Sequence, residues 1–283
     1  MNYIEYASIF TCNNDSLVSI VSMPEQGSRY GILLLVGGPQ VRCGSHRQFT
    51  LMARIWAAAG ISVMRFDFRG MGDSTGEPLN FMQVSDDINA AVGHFFSICP
   101  DLREIVLWGL CDAASAALLY VRQDPRIAGL ALCNPWVRTP QTQADVYLQH
   151  YYFQRLYQAE FWRKLLSGQF RPMTAWRSLQ QLLSQRHTGV NPTDPDAALS
   201  ERMASGLQSF NGPVLIILCE NDFTAREFMQ LCRIDSTWRN LLAAPRITQY
   251  ILAQANHTFS QANWRHQIAD WTSDWLQKSL TCD

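Results

Sequence analysis

The chain opens with two stretches in which apolar and polar residues alternate, Glu5–Cys12 and Leu17–Met23, separated by Asn13-Asn14-Asp15. A period of two puts every second side chain on one face of a sheet, and the Asn-Asn-Asp segment is a turn that joins two such strands. Gly31–Val36 (GILLLV) is different, a continuous apolar run of the kind expected in a strand covered on both faces. Past Gly37-Gly38-Pro39 the spacing changes again. Phe49, Leu51, Met52, Ile55 and Trp56 recur at helical intervals, which predicts a helix over His46–Ala59, capped by Ser45 and closed by Gly60.

The same exchange then repeats along the chain. Strands are predicted over Ile61–Phe66, Glu104–Leu107 and Ile127–Leu132, with helices over 81–99 and from about Asp112 to Val121. Short apolar strands alternating with amphipathic helices indicate an α/β protein with a mostly parallel sheet, to which the opening hairpin adds an antiparallel edge. Between Trp136 and Phe210 no strand-like run occurs. Tyr147, Leu148, Tyr151, Tyr152, Leu156, Phe161, Leu165 and Leu166 fall broadly at helical spacing there, and HTGVNPTDPDAA interrupts them before another short helix. PVLIILCEND, ITQYILA and a final helix over 261–279 restore the alternation. The expected organisation is a core of residues 1–135 and 211–283, with a helical cap insertion over 136–210.

Composition narrows the classes of function. The 283 residues, 47% of them hydrophobic, suffice for one large core carrying an insertion. A formal charge of −1, from 23 basic and 24 acidic residues without a long single-sign block, gives no electrostatic basis for a nucleic-acid partner. No apolar stretch approaches the ~20 residues that span a bilayer. The N-terminal segment MNYIEYASIFTCNNDS lacks the basic-then-apolar order of a signal peptide. We therefore expect a cytoplasmic protein without an integral membrane segment. None of the eight cysteines forms a CxxC or CxxH pair, so neither a metal site nor a redox dithiol is predicted. Cys133 and Cys219 each close an apolar run and read as small buried hydrophobes.

The chemistry concentrates in residues 107–115, LWGLCDAAS. An apolar strand meets Gly109, and small residues follow into a helix, so that Gly109-Leu110-Cys111-Asp112-Ala113 is a GxCxA variant of the GxSxG nucleophile elbow. Cys111 is the candidate nucleophile, and its place at a helix N-terminus favours a thiolate, which the neighbouring charge of Asp112 partly opposes. A thiol needs a base, and the base an orienting acid. Asp222 directly follows the apolar run VLIILCEN and His257 follows ITQYILA, each just past a predicted strand end, where ligands bind in open α/β sheets. An oxyanion hole would take one donor from the Asp112 amide and a second from the Gly37-Gly38-Pro39-Gln40 turn. Pro39 has no N–H, which leaves Gly38, the favoured donor, or Gln40.

Together VGGP, DFRGMGDS (67–74), the GxCxA elbow, END and NHTF resemble the α/β-hydrolase superfamily. The resemblance covers nearly the whole chain outside the insertion and implies an α/β-hydrolase fold with nucleophile, acid and histidine in the order found here. More narrowly, VGGPQVRCGSHRQF, WGLCDAASAALLY and NPWVRT are similar to hydrolase-1 type proteins of exosortase A systems, which implies a setting in bacterial exopolysaccharide production and surface-protein sorting. Ala113 departs from the glycine usual at the fifth elbow position.

Within DFRGMGDS, the side chains of Asp67, Arg69 and Asp73 are expected to tie loops together, with Gly70 and Gly72 allowing the bends. The motif lacks the third glycine of a dinucleotide fingerprint, and no cofactor is expected. Candidate pocket residues are Trp136 and Arg138 after a strand end, His46 with Arg42 and Arg47 beyond the glycine turn, and Tyr151 with its neighbours in the insertion. The expected activity is cleavage of an ester or thioester of a small acyl substrate through a Cys111-His257-Asp222 triad. The alternatives are an acyltransferase with the same triad and a catalytically silent hydrolase fold that binds a partner.

Overall fold

The structure is a computed structural model that describes residues 2–38, 40–137 and 195–280. β1 (Tyr3–Cys12) and β2 (Asp15–Pro24) form the expected hairpin. Its two-residue loop puts Asn13 and Asn14 at φ 49° and 72°, a left-handed pair that asparagine tolerates better than most residues. β3 (Tyr30–Leu35), β4 (Ser62–Phe66), β5 (Glu104–Leu110), β6 (Ile127–Cys133), β7 (Val214–Cys219) and β8 (Ile247–Leu252) complete one sheet. The strand order is β1-β2-β4-β3-β5-β6-β7-β8, antiparallel at β1/β2 and β2/β4 and parallel from there on.

Parallel neighbours need helical crossovers, and these cover both faces of the sheet. The alternation of side chains along β3 shows the division. Ile32 and Leu34 face a core layer with Phe49, Met52 and Trp56 of α1 (Gln48–Ala58) and Ile268, Trp275 and Leu276 of α7 (Ala262–Leu280). Leu33 and Leu35 face the opposite layer, built from α2 (Ser85–Ile98), α3 (Asp112–Tyr120), α4 (Pro195–Ser209), α5 (Phe223–Ile234) and α6 (Ser236–Leu242). Trp56 ties α1 to α7 by donating its indole N–H to the Ala269 carbonyl at 3.0 Å. Such burial contributes ~1.5–3 kcal/mol per large side chain.

α4 falls inside the stretch expected as a cap. It packs on α3 so closely that a Cβ on Gly206 would lie 1.9 Å from the Leu118 carbonyl oxygen, and Leu199, Met203 and Leu207 join the core layer. The remainder of the expected cap, residues 138–194, lies outside the described residues. The expected Ser45 cap does not form. α1 starts at Gln48, and Ser45 lies in a short 3-10 turn with no capping side chain. Gly44, His46 and Arg47 all take positive φ there, so no extended residue precedes the helix to aim a hydroxyl at its free amides.

Candidate active site

The side chains of interest gather at the carboxyl edge of the parallel strands. β5 ends at Leu110 and α3 begins at Asp112, so the whole reversal falls on Cys111, at φ 63° and ψ −125°. A non-glycine residue in this region is strained, and such strain is kept where surrounding contacts enforce it. Here they do. The Cys111 N–H donates to the Cys133 carbonyl at 2.9 Å, while its carbonyl accepts from Ala114, Ser115 and Trp136 amides at 3.1–3.2 Å. Gly109 is needed because a Cβ there would stand 2.6 Å from the backbone of Ala113 and Ala114. Ala113 at the fifth position is buried.

Asp222 follows β7 and caps α5, its Oδ1 accepting from the Thr224 N–H at 3.0 Å. Its Oδ2 lies 2.8 Å from Nδ1 of His257, in the loop after β8. That loop is fastened to the same strand end by the Asn221 N–H, which donates to the Ala255 carbonyl at 3.0 Å, and by the Gln254 N–H, which donates to Glu220 Oε2 at 2.8 Å. Asp222 is buried and His257 is one-third exposed. The hydrogen bond to Asp222, then the nearby sulfur of Cys111, lifts the His257 pKa from 6.5 to about 10 against the opposing effect of burial. The structure thus brings Cys111, His257 and Asp222 together from positions 35 and more residues apart in the chain.

The glycine turn after β3 stands beside them. Gly38, at φ 60°, donates its N–H to Oδ2 of Asp112 at 2.8 Å. Burial raises the Asp112 carboxyl pKa above the ordinary range, while the amides of Gly38, Ala113 and Asp112 and the charge of His257 pull it down. Gln40 turns its side chain toward Ser45, with Oε1 3.3 Å from the Ser45 amide.

A cavity of about 290 Å³ opens next to Gly38 and Asp112. Its walls include Phe68, Met71, Leu79, Phe81, Val84 and Ala116, with Asn80 as a polar member. None of these was expected as a pocket residue: Phe68 and Met71 belong to the DFRGMGDS loop, Phe81 and Val84 to the start of a predicted helix and Ala116 to the helix after the elbow. Trp136 packs edge-on against Phe81, ring centroids 5.4 Å apart, and so steadies one residue of that wall. His46 is exposed in its left-handed turn and does not line the cavity. Arg42 is not free to receive an anion, since its guanidinium is held by Asp67 and Asp73. Arg138, Tyr151 and Pro39 lie outside the described residues. The DFRGMGDS loop is internally braced: buried Asp67 also accepts from the Arg42 and Asp73 amides, and Arg69 pairs with buried Asp87 at 2.6 Å. Phe68 and Met71 give this loop a second part, as cavity wall.

Residues 32–271 match the Alpha/beta hydrolase family. The chain belongs to the alpha/beta hydrolases. Solved structures of similar fold include an esterase of Pyrococcus furiosus, 14% identical over 98% of this chain and 92% of that one, TM-score 0.66. A proline iminopeptidase of Mycobacterium smegmatis is 14% identical over 98% and 100%, TM-score 0.65. A dienelactone hydrolase of Anabaena variabilis is 13% identical over 98% and 99%, TM-score 0.62. No curated protein matches the sequence. Identities this low carry the fold, and the hydrolase sheet seen here is that fold. Among the described residues no helix is long and apolar enough to cross a membrane.

Proposed function

We propose that this alpha/beta hydrolase cleaves an ester or thioester of a small acyl substrate, with Cys111 as nucleophile, His257 as base and acid, and Asp222 as the group that orients His257. The observation that carries the reading is the strained Cys111 at the head of α3, with His257 held 2.8 Å from a buried carboxylate and near enough to the Cys111 sulfur for that sulfur to raise its pKa. With Nδ1 directed at Asp222, Nε2 is the nitrogen left for sulfur. With its pKa at about 10, His257 already holds a proton at neutral pH, and the sulfur attacks the acyl carbon as the thiolate that pairs with this imidazolium. The tetrahedral oxyanion takes hydrogen bonds from the amides of Asp112 and Gly38, each worth ~3 kcal/mol in comparable sites. Collapse expels the alcohol or thiol, which leaves with the proton held by His257. A water molecule then gives a proton to His257 and attacks the acyl-thioenzyme, releasing the acid and restoring the thiolate beside protonated His257.

The apolar cavity beside Gly38 suits the hydrocarbon part of an acyl group. The similarity of VGGPQVRCGSHRQF, WGLCDAASAALLY and NPWVRT to hydrolase-1 proteins of exosortase A systems supports a substrate from exopolysaccharide-linked metabolism. The test is intact-protein mass spectrometry after brief exposure to a panel of acyl thioesters and activated esters. Wild type should gain an acyl mass that maps to Cys111 and decays as acid is released. Cys111→Ala should gain none, and His257→Ala should gain it far more slowly. Absence of adduct and turnover over the whole panel would refute the reading, and faster turnover with an added alcohol or amine would redirect it to acyl transfer.

A further inference from the structure

The amide that the proposed chemistry needs is already occupied. The Gly38 N–H is bonded to Asp112 Oδ2 at 2.8 Å, and one N–H cannot serve a side chain and a substrate oxyanion at full strength together. We propose that the Asp112 carboxylate is a tethered occupant of the anion site beside Cys111, and that an incoming carbonyl oxygen must displace it from the Gly38 amide. The proposal rests on the reading of Cys111 as the nucleophile.

Three features of the surroundings fit an occupant that both enters and leaves. Gly37 leaves room for it, since a Cβ on Gly37 would stand 2.0 Å from Asp112 Oδ1. The same Oδ1 is buried and has no hydrogen-bond partner, so the carboxylate is held well through one oxygen and poorly through the other. A buried acceptor without a partner is costly to keep, which lowers the barrier to its departure. Finally, Gly38 and Asp112 both line the apolar cavity, so an acyl group seated there reaches the amide that the carboxylate covers. Electrostatics agrees. Burial already disfavours the charged carboxyl, and a neutral one binds amide donors more weakly. Because the competitor is on the chain, its effective concentration is at least millimolar, and a free carboxylate in solution gains little against it.

The experiment uses the full chain, labelled with ¹⁵N, as wild type, Asp112→Ala and Asp112→Ser, with acetate as the probe. Both substitutions keep the backbone amide of residue 112, and either one suffices should the other fold poorly. In the variants the Gly38 amide resonance should shift away from its wild-type position, and acetate should bind there at least ~10-fold more tightly than to wild type. Acylation of Cys111 by an acyl thioester should speed up at least ~10-fold, and acetate should inhibit that reaction competitively in the variants but not in wild type. The proposal is overturned if the Gly38 amide does not respond to the substitutions, if acetate binds all three proteins alike, or if wild type forms the acyl adduct and the variants form it no faster. A separate outcome tests the nucleophile itself. Should no protein form an adduct while acetate binds the variants alone, the Cys111 reading fails and the occupancy by Asp112 stands.

Discussion

Replacing Asp222 by asparagine isolates one interaction at the centre of the site. Asparagine keeps a carbonyl oxygen where Oδ1 accepts from the Thr224 N–H, so the cap on α5 survives. What is lost is the negative charge 2.8 Å from His257 Nδ1. That hydrogen bond is the largest of the causes that hold the His257 pKa at about 10, ahead of the Cys111 sulfur and the opposing burial. A hydrogen bond to a charged group contributes ~1.5–3 kcal/mol, or roughly one to two pH units, so His257 in Asp222→Asn should titrate one to two units lower. The stability effect has a definite sign. The folded pKa lies above the unfolded one, so the contribution is complete below pH 6.5 and is lost as the pH rises through about 10. The gap in unfolding free energy between wild type and variant should therefore be largest near pH 6 and narrow toward pH 10. Since His257 is 33% exposed, solvent screening reduces the expected gap at pH 6 to about 1–2 kcal/mol. Titration of the imidazole resonances by NMR gives the first quantity, and urea unfolding of both proteins at several pH values gives the second. An unchanged His257 pKa, or a gap that stays constant across this range, would refute the argument.

Three further outcomes are expected. Gly109→Ala should destabilise the protein by about 2–4 kcal/mol, read from the urea midpoint, because the new Cβ meets the backbone of α3 at 2.6 Å and neither side can yield. Ala116→Phe puts a ring into the cavity of about 290 Å³ and should lower kcat/KM for longer acyl thioesters by ~10-fold or more relative to acetyl, measured across a chain-length series. Iodoacetamide at pH 8 should leave Cys12, Cys99, Cys133 and Cys219 of the native protein unmodified, since all four are buried and burial pushes their thiols upward, to about 11 for Cys12 and Cys99 and about 12 for Cys219. Peptide mapping that finds any of them labelled as fast as an exposed thiol would contradict that burial.

Local pattern carried a large part of this protein. GILLLV is a doubly covered strand because its residues have no polar side to show water, and Asn13-Asn14 turns because these two residues accept positive φ. The same holds for Gly-Leu-Cys-Asp-Ala, where Gly109 and Ala113 are the small residues that let helix and strand meet at Cys111. Helices α5 and α6 were not among the expected elements, although Ala225, Phe228 and Leu231 recur at helical spacing and form the buried face of α5 together with Glu227. Tertiary structure also settled which charges are available. Arg42 looks like an anion receptor in sequence, yet Asp67 and Asp73 claim it, while Asp112 reaches across 74 positions to the Gly38 amide. The cavity walls come from the glycine turn, the loops on either side of residue 75 and the start of α3, segments that share no pattern. Periodicity records what each residue does to its own backbone and which face it buries. Pairing between distant side chains depends on where the folded sheet delivers them, and only the assembled strand ends bring those groups within bonding distance.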